Sequence, residues 1–255
     1  MMRSANPTLT ADTFQHGAVA GERTMTLGGT INRTFILTLL LIIVASFTWN
    51  KGITHPESVG GMVMLGTIGG LIIAIATVFK KNWAPISAPL YAIFEGIALG
   101  AISMFFETRF PGIVFQAILG TMGTLLALLL AYRSGLIKAT ENFKLGVAAA
   151  TGGIFLLYLF SFILGFFGVQ MNFLHDSSSL SIGLSIVIII IAALNLVMDF
   201  DFIEHGAGAG APKYMEWYAA FGLMVTLIWL YLEFLRLLAK LQSRKLQVLL
   251  DHSNL

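Results

Sequence analysis

Apolar residues gather along this chain in long uninterrupted runs, and polar residues occupy the gaps between them. A hydrocarbon core about 30 Å thick is crossed by roughly 20 helical residues rising about 1.5 Å each. Seven stretches reach or approach that length: residues 34–49, 59–79, 86–106, 113–132, 145–169, 180–198 and 217–239. Strands of a membrane barrel would alternate apolar and polar positions, and runs such as 185–193 (SIVIIIIAA) do not. Backbone groups in lipid must pair within their own segment, so the runs predict helices. The expected fold is an all-α, polytopic membrane protein with seven transmembrane helices.

The remaining segments predict a polar N-terminal arm over 1–32, a transmembrane domain over 33–239 and a basic tail over 240–255. The arm has no hydrophobic core followed by a small-residue cleavage site, so no cleavable signal peptide is expected and the first span serves as the insertion signal. With the N-terminus inside, nine Lys and Arg (3, 23, 33, 80, 81, 133, 138, 144, 213) fall on the inner side against Lys51 and Arg109 outside. That asymmetry predicts a cytoplasmic N-terminus. Seven crossings then put Lys240, Arg244 and Lys245 outside, so either the last helix crosses against the rule or it is re-entrant. Gly66–Gly70 and Gly96–Gly100 have the small-xxx-small spacing that lets helices approach closely, and helix packing is the expected use.

Composition narrows the function. Of 255 residues, 57% are hydrophobic and 11% charged, where soluble domains carry about 25% charged residues. There is no cysteine, which excludes thiolate catalysis and cysteine-based zinc sites. A net charge of +2 without a dense basic block predicts no nucleic-acid partner. The five histidines (His16, His55, His175, His205, His252) all lie outside the spans, with no HExxH spacing, and a serine nucleophile would lack a positioned base. No catalytic residue, no enzymatic activity and no cofactor is therefore expected. The stretch 206–212 (GAGAGAP) lacks the strand and the Lys-Ser/Thr ending of a phosphate loop and predicts a flexible connector.

The informative residues are the charges within the spans: Glu95, Glu233 and Arg236, with Asp199 at the end of the sixth. An ionisable residue at the bilayer centre costs about 2.5–3.5 kcal/mol on insertion scales, which makes each a functional candidate. Glu233 and Arg236 are three residues apart and can form an ion pair on one helix face; alternatively Glu233 turns to the bundle interior and shares a proton or cation with another acid. Asn195 precedes Asp199 by one turn and can share its face, while Asp201 and Glu204 continue an acidic segment that suits a solvated helix end. Glu95 has no basic neighbour within a turn, and either a cross-helix hydrogen bond or a place on an ion path would explain it. Several acids and few bases point to cations, since carboxylate oxygens suit hard ions such as Ca²⁺. Two acids brought together cannot both ionise cheaply, so such a site would respond to pH, quiet when protonated and open to a cation when deprotonated.

Residues 193–203 (ALNLVMDFDFI) and 229–238 (WLYLEFLRLL) resemble the ending of the Bax inhibitor-1 (YccA-like) family of transmembrane Bax-inhibitor-motif proteins. Residues 6–9 (NPTL), 25–30 (MTLGGT) and 211–218 (APKYMEWY) are similar to a bacterial branch of it. The resemblance implies six helices in two three-helix layers around a central seventh. It also implies a passive, pH-sensitive calcium leak of the bacterial inner membrane, with Ca²⁺ as permeant ion and a carboxylate pair, Asp199 and Glu233, as proton sensor, gate and Ca²⁺ ligands. Glu95, Asp201, Asn195 and Arg236 would be further groups on the ion path or partners of the pair. The seventh-helix acid is Glu where relatives carry Asp, and residues 59–79 contain no Arg, which some relatives place on the second helix. Expected partners are the lipid bilayer, Ca²⁺ and protons. A second reading, also from the resemblance, is a regulator without transport of its own that binds a membrane protease or stress-survival partner through residues 1–32.

Overall fold

The computed structural model describes residues 24–169, 171, 174 and 176–253. Residues 1–23 of the expected arm, with Arg3, His16 and Arg23, and also His175, lie outside the described residues. Seven α-helices follow one another: α1 (Leu27–Thr54), α2 (Val59–Phe79), α3 (Ala84–Arg109), α4 (Ile113–Arg133), α5 (Glu141–Phe166), α6 (Ser179–Gly208) and α7 (Met215–Ser253). All seven are long and apolar enough to cross a membrane. Phe35, Phe47, Ile72, Phe79, Phe155 and Phe162 are exposed, and so much bare apolar surface suits lipid rather than water. In the most apolar window of α3, α6 and α7 half the residues are buried, against 11–22% in α1, α2, α4 and α5. Helices α3, α6 and α7 are thus the more buried ones.

Several ends differ from the expected spans, and each difference has a local cause. Helix α1 takes in residues 27–32 of the expected arm because Thr26 caps it, its hydroxyl accepting the Gly29 N–H. Helix α5 stops at Phe166 rather than 169, with Gly168 in the left-handed region just beyond (φ 75°). Helix α6 runs ten residues past Met198, into the first three residues of the expected flexible connector. It ends where Gly210 adopts φ 67°, with Gly210 N–H bonded to the Ala207 carbonyl and Ala211 N–H to that of Gly206. This pattern closes a helix only when the residue after it tolerates a left-handed backbone. Helix α7 is one unbroken helix of 39 residues, about 58 Å long, so a re-entrant seventh span is overturned.

The chain forms two compact units. The first holds residues up to Arg109 together with Met198–Val225, that is α1 to α3, the end of α6 and the start of α7. Within it α3 packs against both α1 and α2, through the two small-residue seams. A Cβ at Gly66 would stand 2.5 Å from the Ala98 nitrogen, and one at Gly96 would stand 2.9 Å from the Leu41 carbonyl oxygen. Gly100 lies against the Ala45 carbonyl with no room for a side chain. The expectation that these glycines serve helix packing is met. The second unit holds Phe110–Val197 and Thr226–Leu255, that is α4, α5, most of α6 and the remainder of α7.

Candidate functional site

In the first unit, Glu95 sits on α3 with the Tyr91 hydroxyl as hydrogen-bond partner one turn earlier. Its carboxyl lies against α2, where a Cβ at Gly70 would come within 2.6 Å of Oε1. Tyr91 in turn meets Phe221 of α7 edge to face, ring centroids 4.9 Å apart. Glu95 is half-buried, hydrogen-bonded within its own helix and close against Gly70 of α2, rather than bonded across helices. Asp199 is completely buried, nine residues before the end of α6 rather than at a helix terminus. Asp201 is buried too, against the expectation of a solvated end, and His205 Nδ1 stands 3.4 Å from its carboxylate. Its neighbours Phe200, Phe202 and Ile203 are buried around it, while Glu204 alone of that segment's acids is exposed.

In the second unit, Glu233 is buried on α7 at the centre of a closed knot. Its Oε1 accepts hydrogen bonds from Tyr158 Oη of α5 (3.0 Å), Trp229 Nε1 (3.3 Å) and Arg236 Nη1 (2.9 Å). Arg236 also donates to the Tyr158 hydroxyl and lies over that ring, 5.1 Å from its centroid. Of the two readings open for Glu233, the ion pair with Arg236 is present, with Tyr158 and Trp229 added to it. Asn195 donates to Thr151 Oγ1 of α5 (2.9 Å) and to the Ile191 carbonyl (2.8 Å).

Three groups escaped the sequence reading. Glu216, in the first turn of α7, is 1% exposed and accepts from Thr26 N–H (3.0 Å), Thr26 Oγ1 (2.8 Å) and Lys213 Nζ (2.6 Å). Arg33 Nε is 4.0 Å from its other oxygen, and the Arg33 guanidinium rests on the Trp217 ring. Beside it Met25 N–H bonds to the Ala211 carbonyl, and Thr24 bridges Pro212. A buried anion thus sits at the N-terminus of α1, where helix dipole and free N–H groups favour one. The hint was Thr26, Gly29 and Arg33 at helical spacing, which says nothing about a partner 190 residues away. Tyr158 carried no signal at all. Lys240, assigned to the tail, is buried and donates to Ser185 Oγ (2.8 Å) and the Ser181 carbonyl (3.4 Å) of α6.

Among the described residues no group of three or more His, Cys, Asp or Glu is placed to hold a metal ion. Neither a curated protein nor a solved structure matches the chain. A family model does, that of Bax inhibitor 1 like proteins, over residues 6–243. With seven apolar helices and acids buried on the last two, the chain belongs to the Bax inhibitor 1-like family.

Proposed function

We propose that this protein is a passive, pH-sensitive calcium leak of the bacterial inner membrane with its N-terminus in the cytoplasm, and that Asp199 and Glu233 are its proton-sensing and gating groups. The observation that carries the reading is the complete burial of Asp199 inside a 30-residue apolar helix, in a chain of the family whose likeness implies the leak. A carboxylate withdrawn from water to this degree is costly unless it is protonated, bonded or exchanged against a cation. Glu233 adds a second buried carboxylate with Arg236 as counter-charge, and Glu95, Asp201 and Asn195 are further oxygen-bearing groups for the path. A proton shared by the pair at low pH keeps the path quiet; its loss draws in Ca²⁺, whose preference is for carboxylate and carbonyl oxygen. Purified protein in liposomes should pass more Ca²⁺ at about pH 8 than at about pH 6. Asp199→Asn and Glu233→Gln should each flatten that dependence, and flux unchanged in both variants overturns the assigned roles.

A second reading, a regulator that grips a membrane protease or stress-survival partner through residues 1–32, draws on the contacts of Thr24 and Met25 with Pro212 and Ala211. A pull on the arm would act directly on the link between α6 and α7. Deleting residues 1–23 while leaving the spans intact separates the readings. Lost partner binding with unchanged flux favours the regulator.

A further inference from the structure

Lys240 is a cation buried in the protein that the proposed leak does not use. Its side chain is 6% exposed, on the helix that also carries Glu233 and Arg236. Both oxygens that receive its ammonium, Ser185 Oγ and the Ser181 carbonyl, are uncharged. Among the described residues no carboxylate pairs with it at ion-pair distance. The charged groups that act on it are Arg236 and Glu233 on α7 and Asp176 ahead of α6. Asp176 is engaged elsewhere, accepting from Ser178 Oγ (2.7 Å) and Ser178 N–H (3.3 Å), and those bonds hold its carboxyl below the usual range. Glu233 is matched by Arg236. On the stretch of α7 from Glu233 to Lys240, one negative and two positive charges leave a surplus of one positive charge, and Lys240 carries it.

An ammonium held by a hydroxyl and a carbonyl oxygen occupies the kind of oxygen site that a small hard cation would take. It also repels any cation that comes near, and a divalent ion twice as strongly as a monovalent one. Ser181 and Ser185 lie in the first two turns of α6, so the charge stands near one end of that helix. From these facts, and resting on the leak proposed above, we infer that Lys240 is a tethered cation that sets the height of the barrier to Ca²⁺ and keeps the leak small. The lysine is a selectivity-determining residue whose removal opens the path.

The test compares wild-type protein with Lys240→Gln, Lys240→Met and Lys240→Arg in liposomes under separate Ca²⁺ and K⁺ gradients. The glutamine can keep a hydrogen bond to Ser185, which protects folding should the methionine variant fail. Loss of one positive charge should raise Ca²⁺ flux about fourfold where K⁺ flux rises about twofold, because the divalent ion meets twice the barrier, with the arginine variant behaving as wild type. A merely structural role would change both ions alike. Equal change, or none, in a conducting wild type overturns the barrier and leaves the leak standing. Silence of wild type and variants alike removes the leak reading, and this inference with it.

Discussion

Two buried carboxylates of α7, Glu216 and Glu233, solve the same problem in opposite ways. Each is about 1% exposed and each accepts three hydrogen bonds at one oxygen. Glu216 draws two of its donors from Thr26, 190 residues away, and binds the start of α1 to the start of α7. Glu233 draws two of its donors, Trp229 and Arg236, from its own helix within a turn, and reaches α5 only through Tyr158. The first acid holds distant parts of one unit together. Both have a counter-charge three residues away, Lys213 and Arg236, but the second can change partners without releasing a helix terminus. In the proposed leak that difference separates a structural anion, Glu216, from one assigned to the switch, Glu233, since both are buried alike.

The largest effect is expected where the anion is not local. Glu216→Ala leaves the Thr26 N–H and hydroxyl without their acceptor at the N-terminus of α1, while Lys213, 42% exposed, turns to water. A buried donor left unsatisfied typically costs about 1–3 kcal/mol. Thermal unfolding in detergent should fall accordingly, and a chain with Cys at positions 25 and 211, where no native cysteine interferes, should lose its cross-link once Glu216 is replaced. A smaller effect follows from Tyr158→Phe, which removes one hydrogen bond at Glu233 while Trp229 and Arg236 remain. The expected loss is about 1 kcal/mol. The same variant should shift the pH dependence of flux while Glu216→Gln leaves it in place, if only the Glu233 knot belongs to the switch. The reverse pattern would erase the distinction.

How much of this was legible follows the same division. The seven helices could be read because a membrane span is a property of contiguous residues, and α2, from Val59 to Phe79, falls where its apolar run ends. The ion pair of Glu233 and Arg236 could be read from a spacing of three. The start of α1 at Leu27 could not, because its anchor at Glu216 is brought in by tertiary structure. The length of α6 was hidden by its own acids: Asp201 and Glu204 look like a wet helix end, yet buried Phe200, Phe202 and Ile203 carry the helix on to Gly208. Lys240 looked like a tail charge that broke the positive-inside pattern. Its burial against Ser181 and Ser185 removes it from that tally, because a lysine enclosed by protein reports on packing rather than on topology.

The account rests on acids in the spans that exchange protons in the range where the leak responds. Difference infrared spectroscopy of the carboxyl C=O stretch between about pH 6 and about pH 8 reads this directly in the wild type, in Asp199→Asn and in Glu233→Gln. The account predicts a protonated-carboxyl band at the lower pH that vanishes at the higher, and that is diminished in at least the Asp199 variant. A spectrum without that band, or a band untouched by either substitution, would contradict it.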